Sequence, residues 1–119
     1  MDEGRPIFVQ IAEQIENAII DGSLAEEAQV PSTNELAAFH RINPATAAKG
    51  INELVDDGIL YKKRGIGMFV ATGAQAKLRQ RRRDQFADRY LGPLIAEARK
   101  LGLGTADLKK MIDTWEEPS

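Results

Sequence analysis

The chain has 119 residues, 43% of them hydrophobic, no cysteine and a formal net charge of −2. That length allows one compact domain plus an appendage, and the missing cysteine excludes a disulfide framework and any thiolate metal site. No apolar run approaches the roughly 20 residues of a membrane span, and the opening residues MDEGRPIF lack a signal-peptide core, so a cytoplasmic protein with no membrane partner is expected.

From Pro6 to Asp21, Ile7, Ile11, Ile15 and Ile19 form an i, i+4 stripe widened by Phe8, Ala12 and Ala18, which predicts an amphipathic helix stopped by Gly22. Its acidic polar face suits a scaffold helix and not a membrane surface. Ser32 with Glu35 three residues on reads as a capping box, after which Leu36, Ala37 and Phe39 supply a buried face. Only His40, Arg41 and Ile42 separate this helix from the next, which Asn43 caps and Pro44 opens, and which Gly58 ends. So short a connection forces the sharp crossing of a helix-turn-helix.

On the second helix of the pair, Ala47, Ile51, Leu54 and Val55 recur at core spacing, leaving Ala45, Lys49 and Asn52 outward and Thr46 on the flank. An end so slim and rich in hydrogen-bonding groups can enter a major groove about 12 Å wide. The period then changes. Ile59 to Tyr61 read as a strand, Lys62 to Gly67 as a turn and Met68 to Val70 as the return strand. Gly65 and Gly67 allow a tight tip, and Lys62, Lys63 and Arg64 concentrate charge there, as contact with phosphates or a narrow minor groove requires.

These residues resemble the GntR transcriptional regulators, whose winged helix-turn-helix shares the proline-serine start, the Glu-Leu-Ala core and the glycine-rich wing. The likeness covers roughly residues 5–71. RINPATAAKGINELVDDGIL followed by KKRGIGMFV is most similar to the YtrA-type subfamily, with its Asn-Pro-x-Thr helix start and short helical tail. The resemblance implies DNA contacts for Ser32, Asn43, Thr46, Lys49, Arg64 and Gly65. Asn34 and Ala48 stand where arginine occurs in other branches, and Asn34 joins Ala45, Lys62 and Lys63 among the candidate DNA-binding residues.

Residues 71–74 form a small-residue linker, and helical periodicity then resumes through Leu78, Phe86, Tyr90, Leu94, Ala98 and Leu101, with a kink or break expected at Gly92 and Pro93. Thr105 is expected to cap a last helix whose face is Leu108, Met111, Ile112 and Trp115. Too few residues remain here for an independent core. Pairing of two chains through Phe86, Tyr90, Leu94, Leu108, Met111, Ile112 and Trp115 would bury these stripes, and the resemblance implies such pairing. Folding back onto the winged domain, or lining a ligand pocket, are the alternatives. The basic run Lys77, Arg79, Arg81, Arg82 and Arg83 could reach flanking phosphates, pair with acids such as Glu13 or Glu16, or face solvent.

Nothing points to catalysis. His40 is the lone histidine, no serine has a histidine partner, and Gly65 Ile66 Gly67 lacks the further glycine and following helix of a dinucleotide loop. No metal, cofactor or catalytic residue is assigned, and no effector can be named. Residues 1–74 carry six basic against eleven acidic side chains, unusual for a DNA binder, but most of the acids lie away from the expected DNA face. The expected architecture is mainly α with a small β-hairpin: a winged helix-turn-helix over residues 1–71 followed by a short helical dimerisation tail over 72–119. The expected function is sequence-specific binding of double-stranded operator DNA by a homodimeric repressor at an inverted repeat. The alternative, supported by net acidity alone, is a winged helix that binds a protein and has no operator.

Overall fold

The structure, a computed structural model, describes residues 4–118. Its elements follow in the order α1 (Ile7–Asp21), α2 (Thr33–His40), α3 (Pro44–Asp56), β1 (Leu60–Lys63), β2 (Gly67–Val70), α4 (Ala74–Phe86), a π-helical turn (Ala87–Leu91), α5 (Gly92–Lys100) and α6 (Thr105–Thr114). Two compact units meet inside α4, between Arg81 and Arg82.

In the first unit, Ile11, Ile15 and Ile19 of α1 pack with Ile51 and Leu54 of α3, and with Ile59, Leu60 and Val70 of the hairpin. The core also takes in Ala74 and Leu78, each 1% exposed. The sequence places both beyond residue 71 in the tail, yet they are apolar side chains one helical turn apart, so the first two turns of α4 complete the core of this unit.

The helix boundaries follow the capping chemistry. Ser32 Oγ accepts from the Glu35 N–H at 3.1 Å while a Glu35 carboxylate oxygen accepts from the Ser32 N–H at 3.2 Å, the reciprocal pair that closes a capping box. Asn43 Oδ1 accepts from the Ala45 N–H at 2.8 Å, with Pro44 opening α3. Between the two helices Arg41 adopts a left-handed backbone, φ 56°, and turns the chain in place of a glycine. Gly50 lets α1 and α3 cross closely: a Cβ there would lie 2.7 Å from the Phe8 carbonyl oxygen.

Two of the apolar residues assigned inward point to solvent. Ile7 is exposed at the first residue of α1. Phe39 is 82% exposed, because the buried face of the eight-residue α2 centres on Ala37, with Leu36 beside it, and a residue two positions on from Ala37 turns to the opposite side. The Phe39 ring meets His40 edge-on at 5.0 Å and forms one lip of an open groove of about 520 Å³ between α1 and α2.

The hairpin is antiparallel, with Leu60 opposite Val70 and Lys63 opposite Gly67. It has a third backbone partner that the sequence did not announce. The Glu27 N–H donates to Val70 O at 2.8 Å, the Val70 N–H to Ala28 O at 3.0 Å and the Val30 N–H to Met68 O at 2.9 Å, so residues 27–30 line the free edge of β2.

In the second unit the helix does not break at proline. The Gly92 N–H reaches back to Ala87 O, an i to i−5 bond, and this one wide turn carries the chain through Pro93, which lacks a donor. The last helix starts one residue earlier than expected: Gly104 is the N-cap, its N–H held by Asp107 Oδ2 at 2.9 Å, and Thr105 is already helical. Ala98 is buried. Phe86, Tyr90, Leu94, Leu101, Met111, Ile112 and Trp115 are exposed, Trp115 at 69%. Leu108 is half-buried.

Candidate nucleic-acid interface

The N-terminal end of α3 presents Asn43, Ala45, Lys49 and Asn52 to solvent, with Thr46 half-buried beside them, while Ala47, Gly50, Ile51 and Leu54 fill the opposite face. Ala45 offers a methyl group small enough to meet a thymine methyl, and Thr46 a hydroxyl that both donates and accepts. Asn43 spends its carbonyl on the cap and keeps its amide donors. Ser32 likewise spends its oxygen lone pair on the Glu35 N–H and keeps its hydroxyl hydrogen to donate at the N-terminus of α2, a setting that favours an anion. Asn34 is exposed on the first turn of the same helix.

Lys49 does not simply extend into solvent. Its ammonium lies 4.0 Å from the centroid of the Phe8 ring on α1, a cation–π contact worth about 0.5–1 kcal/mol at an exposed site. A charge-assisted bond to phosphate or a guanine edge is stronger, so this contact parks the side chain without withholding it from DNA.

In the wing, Lys62, Lys63, Arg64 and Gly65 are all exposed. Gly65 holds φ +76° and Gly67 φ +146°, backbone states that a side chain would strain. Lys63 Nζ sits 4.4 Å from the Phe69 ring centroid and 5.9 Å from that of Tyr61, which orients its charge along the hairpin. Gln29 buttresses the tip, its side-chain amide donating to Ile66 O at 3.1 Å in the space a side chain on Gly67 would fill. Nothing in the local sequence pattern marks Gln29, since its partner lies 37 residues away.

Three members of the basic run have other work. Arg79 donates to Ile20 O at 3.0 Å, Lys77 Nζ donates to Asp57 O, and the Arg81 guanidinium lies 3.5 Å from Asp57 Oδ2. These carbonyls close the C-terminal ends of α1 and α3, where oxygens lack helical donors and cations are favoured. Glu13 pairs with Arg5 at 2.6 Å. At the base of the wing, the Thr72 hydroxyl donates to Glu27 Oε1 at 2.6 Å and the Tyr61 hydroxyl to the other carboxylate oxygen. Donation from Thr72, and then from Tyr61, holds the Glu27 carboxyl below its ordinary range, while the same bond raises Tyr61. Among the described residues no cluster of histidine and carboxylates could hold a metal ion, and no helix is long and apolar enough to cross a membrane.

A family model for bacterial regulatory proteins, the gntR family, matches residues 8–70, which span α1 through β2 and so the whole helix-turn-helix and its wing. The chain belongs to the gntR family. It is accordingly a DNA-binding transcriptional regulator of the winged-helix type and not an enzyme. It is 29% identical over 107 residues to the HTH-type transcriptional repressor YtrA of Bacillus subtilis (strain 168), covering 90% of this chain and 82% of that protein, so the likeness runs past the wing into the helical tail. The fold matches a crystal structure of a transcriptional regulator from Oenococcus oeni with a TM-score of 0.79 and 28% identity, over 95% of this chain and 92% of that one. The winged unit also matches AraR(DBD) crystallised in complex with operator ORE1, with a TM-score of 0.54 and 34% identity over 56% of this chain and 82% of that one.

Proposed function

We propose that this gntR-family regulator is a cytoplasmic homodimeric repressor that occupies an inverted-repeat operator, with residues 1–71 reading DNA and the helices beyond them pairing two chains. The observation that carries the dimer is the set of exposed apolar side chains in the tail, Phe86, Tyr90, Leu94, Met111, Ile112 and Trp115, which a soluble monomer would leave in water. Repression is supported by the name of YtrA, and operator binding by the AraR complex. Each chain then supplies one α3 to a major groove and one wing to the flanking backbone, and the two-fold axis of the dimer makes the operator palindromic.

Within each half-site, Ala45, Thr46 and Lys49 meet base edges or phosphate, Asn43, Asn34 and Ser32 hold the backbone, and Lys62, Lys63, Arg64 and Gly65 seat the wing. A gel shift with the DNA upstream of the gene tests the reading directly. A retarded band that survives excess random duplex supports it, whereas no shift at low salt would favour a winged helix that binds protein.

Replacing Thr46 with alanine should weaken operator binding by about 1–3 kcal/mol if the hydroxyl makes a base-directed contact, and should relax selectivity at one position of each half-site. The side chain is half-buried and makes no cap, so thermal stability should hardly change. Full operator affinity in Thr46→Ala would remove this residue from the groove.

Wing charge is expected to act without reading sequence. In the double variant Lys62→Ala, Arg64→Ala, affinity for operator and for random duplex should fall together. For every phosphate that the wing no longer neutralises, the plot of log affinity against log salt should flatten by about 0.9. A variant that kept the wild-type salt slope but preferred a different sequence would show that the wing reads bases.

A further inference from the structure

We infer that Glu26, Glu27, Gln75, Lys77 and Arg79 are positioning residues that fix the direction in which α4 leaves the DNA-reading unit, and so select the half-site spacing that the protein accepts. This rests on the dimeric reading above.

Residues 71–73, Ala-Thr-Gly, have the composition of a flexible joint, and Gly73 has φ +86°. Their polar groups are nevertheless tied down. The Ala71 N–H donates to Ile59 O at 2.9 Å, the Thr72 hydroxyl to Glu27 Oε1 at 2.6 Å and the Gly73 N–H to Glu26 Oε1 at 3.0 Å. Glu27 is itself anchored, by its N–H to Val70 O and by the Tyr61 hydroxyl on its second oxygen. The joint is thus fastened to the base of the wing.

The next turns of α4 are fastened to the two helices that cross beneath them. The Gln75 side-chain amide donates to Ile19 O at 3.3 Å and Ile20 O at 3.1 Å, and Arg79 donates to Ile20 O at 3.0 Å, closing α1. Lys77 donates to Asp57 O, closing α3, the helix that enters the groove. Gly58, at φ +76°, leaves room for this bond, since a Cβ there would lie 3.2 Å from Lys77 Nζ. With Ala74 and Leu78 in the core, α4 is held from two sides by polar bonds and from below by packing. A helix held at five positions between Ala74 and Arg79 cannot swivel about its axis or tilt without breaking several contacts at once. The exit direction is therefore set in register with the recognition helix, and these residues serve DNA binding without touching DNA.

In a dimer, the second half-site is engaged intramolecularly, and the gain in affinity depends on whether the geometry spans both sites. A stiff exit restricts the spacers that satisfy this condition, and a loose one accepts several at lower gain. The test uses the full chain. The preferred half-site is first selected from random duplexes. Affinities are then measured for that half-site alone and for inverted repeats whose spacer changes one base pair at a time. The wild-type protein should favour one spacer. In Lys77→Ala, Arg79→Ala, affinity for the single half-site should stay at the wild-type value, while the preferred repeat loses about tenfold and the profile across spacers flattens.

A folded double variant that keeps the wild-type spacer profile overturns the inference, as does one that loses single-site and repeat binding equally, since these residues would then only stabilise the unit. Should that variant fail to give a cooperative melt, Glu26→Ala with Thr72→Ala opens the joint and leaves the helix-end bonds in place. The same flattening is expected, and an unchanged profile overturns the inference. Wild-type protein that sediments as a monomer and binds repeats no better than single sites overturns the dimeric reading as well, and is told apart by that sedimentation result.

Discussion

Placing charge on the exposed tail, as in Tyr90→Glu combined with Ile112→Glu, is expected to convert the proposed dimer to a monomer and to lower affinity for the full operator by about 10²–10⁴-fold. Tyr90 and Ile112 are 58% and 65% exposed in the single chain, so the substitutions cost the isolated fold little; in a paired interface each carboxylate would have to be desolvated without a partner. Sedimentation velocity at micromolar concentration reads the first effect, and a gel shift the second. Binding to a single half-site should persist, because the winged unit keeps its own core. A charged variant that still sediments as a dimer would assign pairing to another surface. Truncation is the poorer experiment: a chain ending at Ala74 would lose Leu78, Lys77 and Arg79, and with them part of the core and the closures of α1 and α3.

Gly50→Val should destabilise the winged unit by about 3 kcal/mol, at the upper end of overpacking costs. For a unit of this size that lowers the melting temperature by roughly 12–24 °C. The obstacle is backbone: the first atom added lies 2.7 Å from the Phe8 carbonyl oxygen, and neither α1 nor α3 can yield without opening the core between Ile11 and Ile51. The gain in helix propensity on replacing glycine is too small to offset this. Gly92 is the control. It is also helical, at φ −57°, and beyond its chain neighbours a Cβ there would meet nothing nearer than 3.6 Å. The proline that follows disfavours a helical residue with a Cβ and offsets the gain in propensity, so Gly92→Ala should change stability by less than about 1 kcal/mol. Thermal melts of both variants followed by circular dichroism decide the matter. Equal effects would mean that the helix crossing is looser than the geometry requires.

Most of the winged helix was legible in the sequence because its signals are local. Ser32 with Glu35, Asn43 with Pro44, Gly22 and Gly58 each act on backbone groups within four residues, and the isoleucines of α1 repeat at the period of the helix they form. The outward face of α3 follows from the same period, so Ala45, Lys49 and Asn52 are placed by spacing alone. The gntR likeness has the same origin, since the matched stretch, residues 8–70, carries these signals in register.

What the tertiary structure alone decided involves partners distant in the chain. Residues 27–30 read as loop because their hydrogen bonds go to Met68 and Val70, some forty residues on. Phe39 reads as core by composition but lies outside, because α2 is too short for a second buried ridge. Lys49 reads as a free cation, and its resting place over Phe8 depends on how α1 crosses α3. Lys77, Arg79 and Arg81 belong to a run whose sequence leaves phosphates, acidic partners and solvent all open, and their oxygens prove to be the carbonyls of Asp57 and Ile20 and the Asp57 carboxylate, which become available only once three helix ends are brought together. Charge and polarity in a sequence state what a side chain can bond. The meeting of distant elements determines which bond it makes, because a buried or dipole-favoured oxygen already in place costs less ordering than a partner still to arrive from solution.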